Sequence, residues 1–298
     1  MVKFLHSQTK YLALLAMAVG LIACPGALAT ELASPAVEVK VLLKPLQVLD
    51  TNARPNDALR KAFKISKEKS KNPVMLRMQF LDGPKQDLRQ NGWNIRFRKI
   101  QGQDYMELTF KRRYSVDTTL EAVLTNAADD GFTDSPANHY ESELEWGYHK
   151  QTLTFSNEQR ARDAEAQSLT MPSIGEARHL VADKMPSELQ QWKGHGGAKG
   201  ILPEACLYGP VDGWRWHGSH AEIDDKIAIE VWALPTPDQS SKEHIVEISF
   251  KKKKYDAQAT VQRQKLLRFL KTKGWLMEED VLKTKLVFER SRQSNCGH

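Results

Sequence analysis

Five segments of this chain place a charged or polar side chain at every second residue, with apolar residues between. They are Glu38/Lys40 in AVEVKV, Arg96/Arg98 in WNIRFRKI, Glu107/Thr109/Lys111 in YMELTFKR, Glu141/Glu143/Glu145 in YESELEW and Glu247/Ser249/Lys251 in HIVEISFK. Carboxylate oxygens suit hard cations such as Mg²⁺ or Mn²⁺. Arg and Lys donate to phosphate oxygens, Arg through a planar, permanently charged fork. The mixture therefore suits a polyanion bound together with a metal cation. A solvated sheet face laced with cross-strand ion pairs, each worth under about 1 kcal/mol, would show the same alternation.

The elements that must position these groups are strands, because only strand geometry sends alternate side chains to opposite faces. Each segment then has one charged face and one apolar face, such as Val37/Val39/Val41 or Ile248/Phe250. Strands are expected at 36–44, 75–81, 93–100, 105–114 and 141–148, then at 204–208, 213–217, 226–234 and 244–253. Helices are expected over 56–65, started by Asn56 or Asp57, over 118–128, and over 260–273. The last is amphipathic, with Val261, Leu266, Leu267 and Leu270 on one side, and stops at Gly274. The Lys-rich stretch SKEKSKN reads as a solvated loop, and 157–193 as two or three helices broken at Pro172 and Pro186. The fold class is α+β: eight or nine strands in one antiparallel sheet, closed or nearly closed on itself, with helices packed outside.

The chain of 298 residues opens with Lys3 and Lys10, an apolar run from Tyr11 to Ala23, and small residues. That is the layout of a secretory signal, residues 1–29, too short to span a bilayer comfortably. Ala27-Leu28-Ala29 fits ordinary signal peptidase. Leu21-Ile22-Ala23-Cys24 resembles a lipobox that would leave a lipidated, membrane-anchored Cys24, with Pro25 an awkward neighbour. Release into the periplasm or medium is the favoured reading. Residues 36–276 form one domain and 277–298 a C-terminal tail. A disulfide between Cys206 and Cys296 would pin that tail in an oxidising compartment; two free thiols are the alternative.

The net charge of +6 agrees with anionic ligands but is far from a nucleic-acid signature. The nine histidines show no His-Glu-x-x-His spacing, which speaks against a zinc enzyme. The absence of a Gly-x-Ser-x-Gly elbow and of a phosphate-binding loop speaks against a serine hydrolase and a nucleotide kinase. Trp192, Trp214 and Trp216 read as packing residues. The run Lys251–Lys254 reads as a solvated strand end that could also guide an anion.

The order of these motifs resembles the CYTH superfamily, the triphosphate tunnel metalloenzymes, which includes thiamine triphosphatases, inorganic triphosphatases and class IV adenylate cyclases. The resemblance spans 36–276. It rests on Glu38/Lys40 in the opening strand, Phe80-Leu81-Asp82-Gly83-Pro84, Gly92 with Arg96/Arg98, Thr109/Lys111, and Glu141/Glu143/Glu145. Arg215, Glu230 and the closing strand with Glu247 and Lys251 complete it. It implies an eight-stranded antiparallel tunnel with a charged lining. Arg96, Arg98, Lys111, Arg215 and Lys251 would hold the phosphates of a triphosphate or polyphosphate. Glu38, Glu145, Glu230 and Glu247 would hold Mg²⁺ or Mn²⁺, and Lys40 would help orient an attacking water. Ala36 and Ser249 stand where that pattern usually has carboxylates. The expected function is thus an exported triphosphate binder that hydrolyses a phosphoanhydride if the metal site survives. A non-catalytic polyanion binder and an envelope scaffold are the alternatives.

Overall fold

The computed structural model describes residues 32–134, 139–162, 168–192, 197–291 and 296. The signal segment, with Cys24 and both cleavage motifs, lies outside the described residues.

Alternation becomes strand, as expected, and capping residues set the helices between. β1 (Ala36–Leu43) leads through α1 (Pro45–Val48), α2 (Asp57–Ala62) and α3 (Lys67–Lys71) to β2 (Val74–Asp82). Asn56 starts α2 by accepting the Leu59 N–H, and Ser66 starts α3 by accepting that of Lys69. The Lys-rich stretch expected to be a loop is therefore a short capped helix. Next come α4 (Asp87–Gln90), β3 (Trp93–Ile100), β4 (Tyr105–Ser115), α5 (Leu120–Asp129), β5 (Glu141–Trp146) and β6 (Gln151–Arg162). Helices α6 (Ile174–Lys184), α7 (Ser187–Gln190) and α8 (Ala198–Ile201) precede β7 (Cys206–His220) and β8 (Ile223–Pro235). The chain ends with β9 (Lys242–Lys252), α9 (Ala257–Thr272) and α10 (Lys283–Arg290).

The strands close into one barrel in the order β1-β5-β6-β4-β3-β2-β7-β8-β9. The count is nine where the family resemblance implied eight, and the sheet is mixed, because β1 and β5 run parallel while the other pairs are antiparallel. Two segments depart from the strands expected from the sequence, one adding a strand and the other merging two. In β6, Leu153 and Phe155 alternate with Thr152, Thr154 and Ser156, but the Ala, Gln and Arg content from 157 onward reads as helix. The two strands expected at 204–208 and 213–217 are one strand, β7. Its register shifts opposite Met78/Phe80, where Gly209 and Pro210 sit. A proline cannot donate to the ladder, and a bulge tolerates it.

The apolar strand faces point outward, beneath the helices. Val37, Val39, Ile229 and Ile248 pack with Leu266 and Leu270 of α9, and Ile95, Phe97, Phe110 and Phe155 pack with Val123 of α5 and Val181 of α6. Each such side chain contributes roughly 1.5–3 kcal/mol by leaving water. The charged faces are left to line a central cavity of about 1040 Å³. One sector departs from this: Met78 and Trp232 line the cavity and join Leu76, Phe80 and Val211 in a cluster with Val287 and Phe288 of α10. The segment after residue 276 thus ends in a helix packed into the apolar sector of the barrel.

Candidate functional site

Strand register decides which charges meet. Across the parallel seam Ala36 stands beside Glu143, and Glu38 beside Glu145. On the other edge of β1, Glu38 faces Lys251 and Lys40 faces Ser249. The outcome is a group of three carboxylates, Glu38, Glu143 and Glu145, whose nearest oxygens all lie within 4.8 Å of one another. Three ammonium groups brace them. Lys40 Nζ is 2.7 Å from Glu145 Oε2 and 3.7 Å from Glu38 Oε2. Lys111 Nζ donates to Glu145 Oε1 at 2.9 Å, and Lys251 Nζ to Glu143 Oε1 at 2.7 Å.

These partners are unequal. Burial favours a neutral Glu145, yet Lys111, Lys40 and Arg113 hold its carboxyl well below the usual range. Burial likewise opposes the charge on Lys40, but Glu145, Glu38 and Glu247 raise its pKa above the ordinary lysine value. Glu145 is therefore held ionised between its two lysines. Glu143 differs: burial and then the neighbouring Glu38 raise its pKa, and Lys251 only partly opposes them. The Lys251 side chain is 64% exposed, so this partner can turn away into solvent. Glu38 and Glu143 are thus two oxygen donors with lone pairs to spare and a mutual repulsion that a divalent cation would relieve. The donor set fits Mg²⁺ or Mn²⁺, which need one or two carboxylates plus water or phosphate.

A second group lies where β7, β8 and β9 meet. Arg215 stands opposite Glu230, and Glu230 opposite Glu247. Arg215 Nε donates to Glu230 Oε1 at 2.7 Å, and Trp232 Nε1 to Glu230 Oε2 at 3.1 Å. Lys283, at the start of α10, lies 2.8 Å from Glu230 and 2.8 Å from Glu247. Burial would raise the Glu230 pKa, but Lys283 and Arg215 hold it far below the ordinary carboxylate range. In Glu247 burial prevails, and its pKa is raised.

The third wall is cationic. Arg98 is bound to Glu107, with Glu158 at 3.8 Å. Arg96 donates to the neutral Thr109 Oγ1 at 3.1 Å, and its buried Nε has no hydrogen-bond partner among the described residues. Burial and then the adjacent Arg98 push Arg96 down to about 9. A guanidinium keeps its charge at neutral pH, so Arg96 sits in a field that favours an incoming anion. The buried Nε of Arg113, on the same face of β4 as Lys111, is also unpartnered among the described residues.

Every site residue named from the sequence lines the cavity. Lys40, Glu38, Glu145, Lys111 and Lys251 come together, Arg96 and Arg98 form a separate wall, and Arg215, Glu230 and Glu247 form a third group. The single ligand set Glu38, Glu145, Glu230 and Glu247 is therefore split in two. Glu143 reads as part of the Glu141/Glu143/Glu145 alternation but not as a ligand, and Arg113, which continues the alternation of β4, was not named. Lys283 belongs to no alternating pattern, and only tertiary structure brings it to the carboxylates.

No family model matches the sequence, and no curated protein does. Among solved structures, the chain is similar to a candidate adenylate cyclase from Bacillus halodurans at 14% identity and a TM-score of 0.46, covering 85% of this chain and 96% of that one. It is similar to a candidate adenylyl cyclase from Hippeastrum, described as having dominant triphosphatase activity, at 14% identity and 0.43, covering 88% and 99%. A Pyrococcus horikoshii protein matches at 12% and 0.38, covering 84% and 97%. The chemistry of the tunnel is accordingly read from this chain's own side chains.

Proposed function

We propose that this protein is exported and that its tunnel binds the phosphates of a linear triphosphate or polyphosphate and hydrolyses a phosphoanhydride with a divalent cation. The observation that carries the reading is Arg96: a half-buried guanidinium with its Nε fully buried, inside a charged cavity and with no carboxylate within ion-pair distance among the described residues. Burying an unpaired charge is costly, and an anionic ligand would offset that cost. Arg113 and Lys111 extend the cationic surface from Arg96 towards the three carboxylates. Export is supported by the N-terminal sequence and by the Cys206–Cys296 disulfide, which suits an oxidising compartment.

Glu38 and Glu143 would hold the cation, with Glu145 behind them fixing the two lysines. Bound there, a divalent cation would supply Lewis-acid polarisation of a phosphoryl oxygen. Arg96, Arg113 and Lys111 hold phosphate oxygens and spread the charge that develops on them. Lys40 stays protonated between its carboxylates, so it donates to a phosphate or water oxygen and does not act as a base.

Isothermal calorimetry with tripolyphosphate tests the site. Arg96→Ala should lose about tenfold to a hundredfold in affinity, the worth of one charge-assisted contact of roughly 1.5–3 kcal/mol. Equal affinity in the variant would refute the assignment. Phosphate release from tripolyphosphate with Mn²⁺, abolished by chelation, tests the reaction. A second reading, a polyanion binder without catalysis, is favoured by Ala36 and Ser249, which leave the metal group short of carboxylates. Binding without release would establish it.

A further inference from the structure

Glu230 and Glu247 take no part in the reaction proposed above, and their partner comes from outside the barrel wall. β8 and β9 place the two carboxylates directly opposite each other, an arrangement that is destabilising on its own. Lys283 resolves it. Its Nζ lies 2.8 Å from an oxygen of each carboxylate and 4.3 Å from the centroid of the Trp232 ring, and its side chain is 9% exposed.

The segment carrying this lysine is fastened on both sides. Upstream, Asp280 accepts from the N–H groups of Tyr148, His149 and Lys150 at 2.6, 2.6 and 2.8 Å. Downstream, Arg290 pairs with Glu243, the Gly209 N–H donates to Ser291 Oγ at 2.8 Å, and Cys296 is bonded to Cys206. Between them Val287 and Phe288 are buried in the barrel's apolar sector. Lys283 is thus delivered to a fixed point, as a metal ion would be.

We propose that Lys283 is a tethered cation occupying a second carboxylate site at Glu230 and Glu247, which closes that site to metal and leaves Glu38 and Glu143 as the tunnel's place for a divalent ion. Two carboxylates and an aromatic face suit an ammonium group. A hard divalent ion there would need oxygens of both carboxylates, with water completing its shell, and the ammonium already occupies them. The ammonium is also covalently held, so no concentration of free metal competes with it on equal terms.

The Glu38/Glu143 half rests on the function proposed above; the closure of Glu230/Glu247 does not, and titration with MnCl₂ alone separates the two. Free Mn²⁺ is followed by electron paramagnetic resonance in the full chain and in Lys283→Met, Lys283→Arg and Lys283→Met/Glu247→Gln. Lys283→Met should bind one Mn²⁺ more than the native chain, Lys283→Arg should bind no more than it, and Glu247→Gln should cancel the gain. A folded Lys283→Met protein with no added Mn²⁺ overturns the proposal. If Lys283→Met does not fold, Glu247→Gln alone decides: unchanged Mn²⁺ stoichiometry supports the closed site, and a lost equivalent overturns it. A native chain that binds no Mn²⁺ counts against Glu38 and Glu143 only, since a gain in Lys283→Met still marks the second site.

Discussion

The tunnel holds two carboxylate groups built from the same residue type on adjacent strands, and they are neutralised in different ways. Glu38, Glu143 and Glu145 are braced by lysines of the barrel itself, one of which, Lys251, is largely in solvent. Glu230 and Glu247 are held by Arg215 and by a buried lysine that arrives on a separate helix. An exposed lysine side chain can leave at little cost and make room for a metal. A buried one fixed by a packed helix cannot. Availability for a ligand is therefore set by how the counter-charge is anchored, not by the number of carboxylates.

The largest expected effect strikes the anchored group. Lys283→Met leaves two buried carboxylates facing each other and should cost roughly 3–5 kcal/mol in urea unfolding; a loss below about 1 kcal/mol would erase the contrast between the groups. Arg215→Ala should cost less, about 1.5–3 kcal/mol, because Lys283 still holds Glu230. The ordering of these two variants is the sharper check.

One carboxylate from each group, Glu230 and Glu143, should answer pH with opposite sign. Burial works against ionised Glu230, but Lys283 and Arg215 depress its folded pKa below the ordinary 4.5. Its stabilising contribution is present above pH 4.5 and is lost as pH falls through the folded value. Burial and Glu38 raise Glu143 above 4.5, so its contribution is present below that pH and is lost as pH rises through the folded value. Glu230→Gln should flatten the stability–pH slope below 4.5, and Glu143→Gln the slope above it. A common slope change in both variants would contradict the distinction. The smallest effect is expected of Lys251→Ala, under about 1 kcal/mol, measured by the same unfolding experiment; a larger loss would mean that Lys251 is as firmly fixed as Lys283.

The alternation of Arg96/Arg98, Thr109/Lys111 and Glu141/Glu143/Glu145 made the strands and their charged faces legible, because a two-residue period is local backbone geometry. Asn56 and Gly274 likewise marked a helix start and stop that the structure retains. β6 was hidden, since its composition favours helix and only pairing with β4 and β5 makes it a strand. The parallel seam was equally invisible, because strand direction is fixed by how the ring closes.

By itself the sequence determined which side chains share a face and hence that a charged surface and an apolar one exist. Tertiary structure alone decided that the charged faces turn inward, that Glu143 rather than Glu230 or Glu247 joins Glu38, and that Lys283 reaches across from α10. The physical reason is range: periodicity acts between residues two apart, whereas Lys283 meets Glu230 across 53 positions of chain. Contact over that distance exists only once the barrel has closed and its apolar sector has received Phe288.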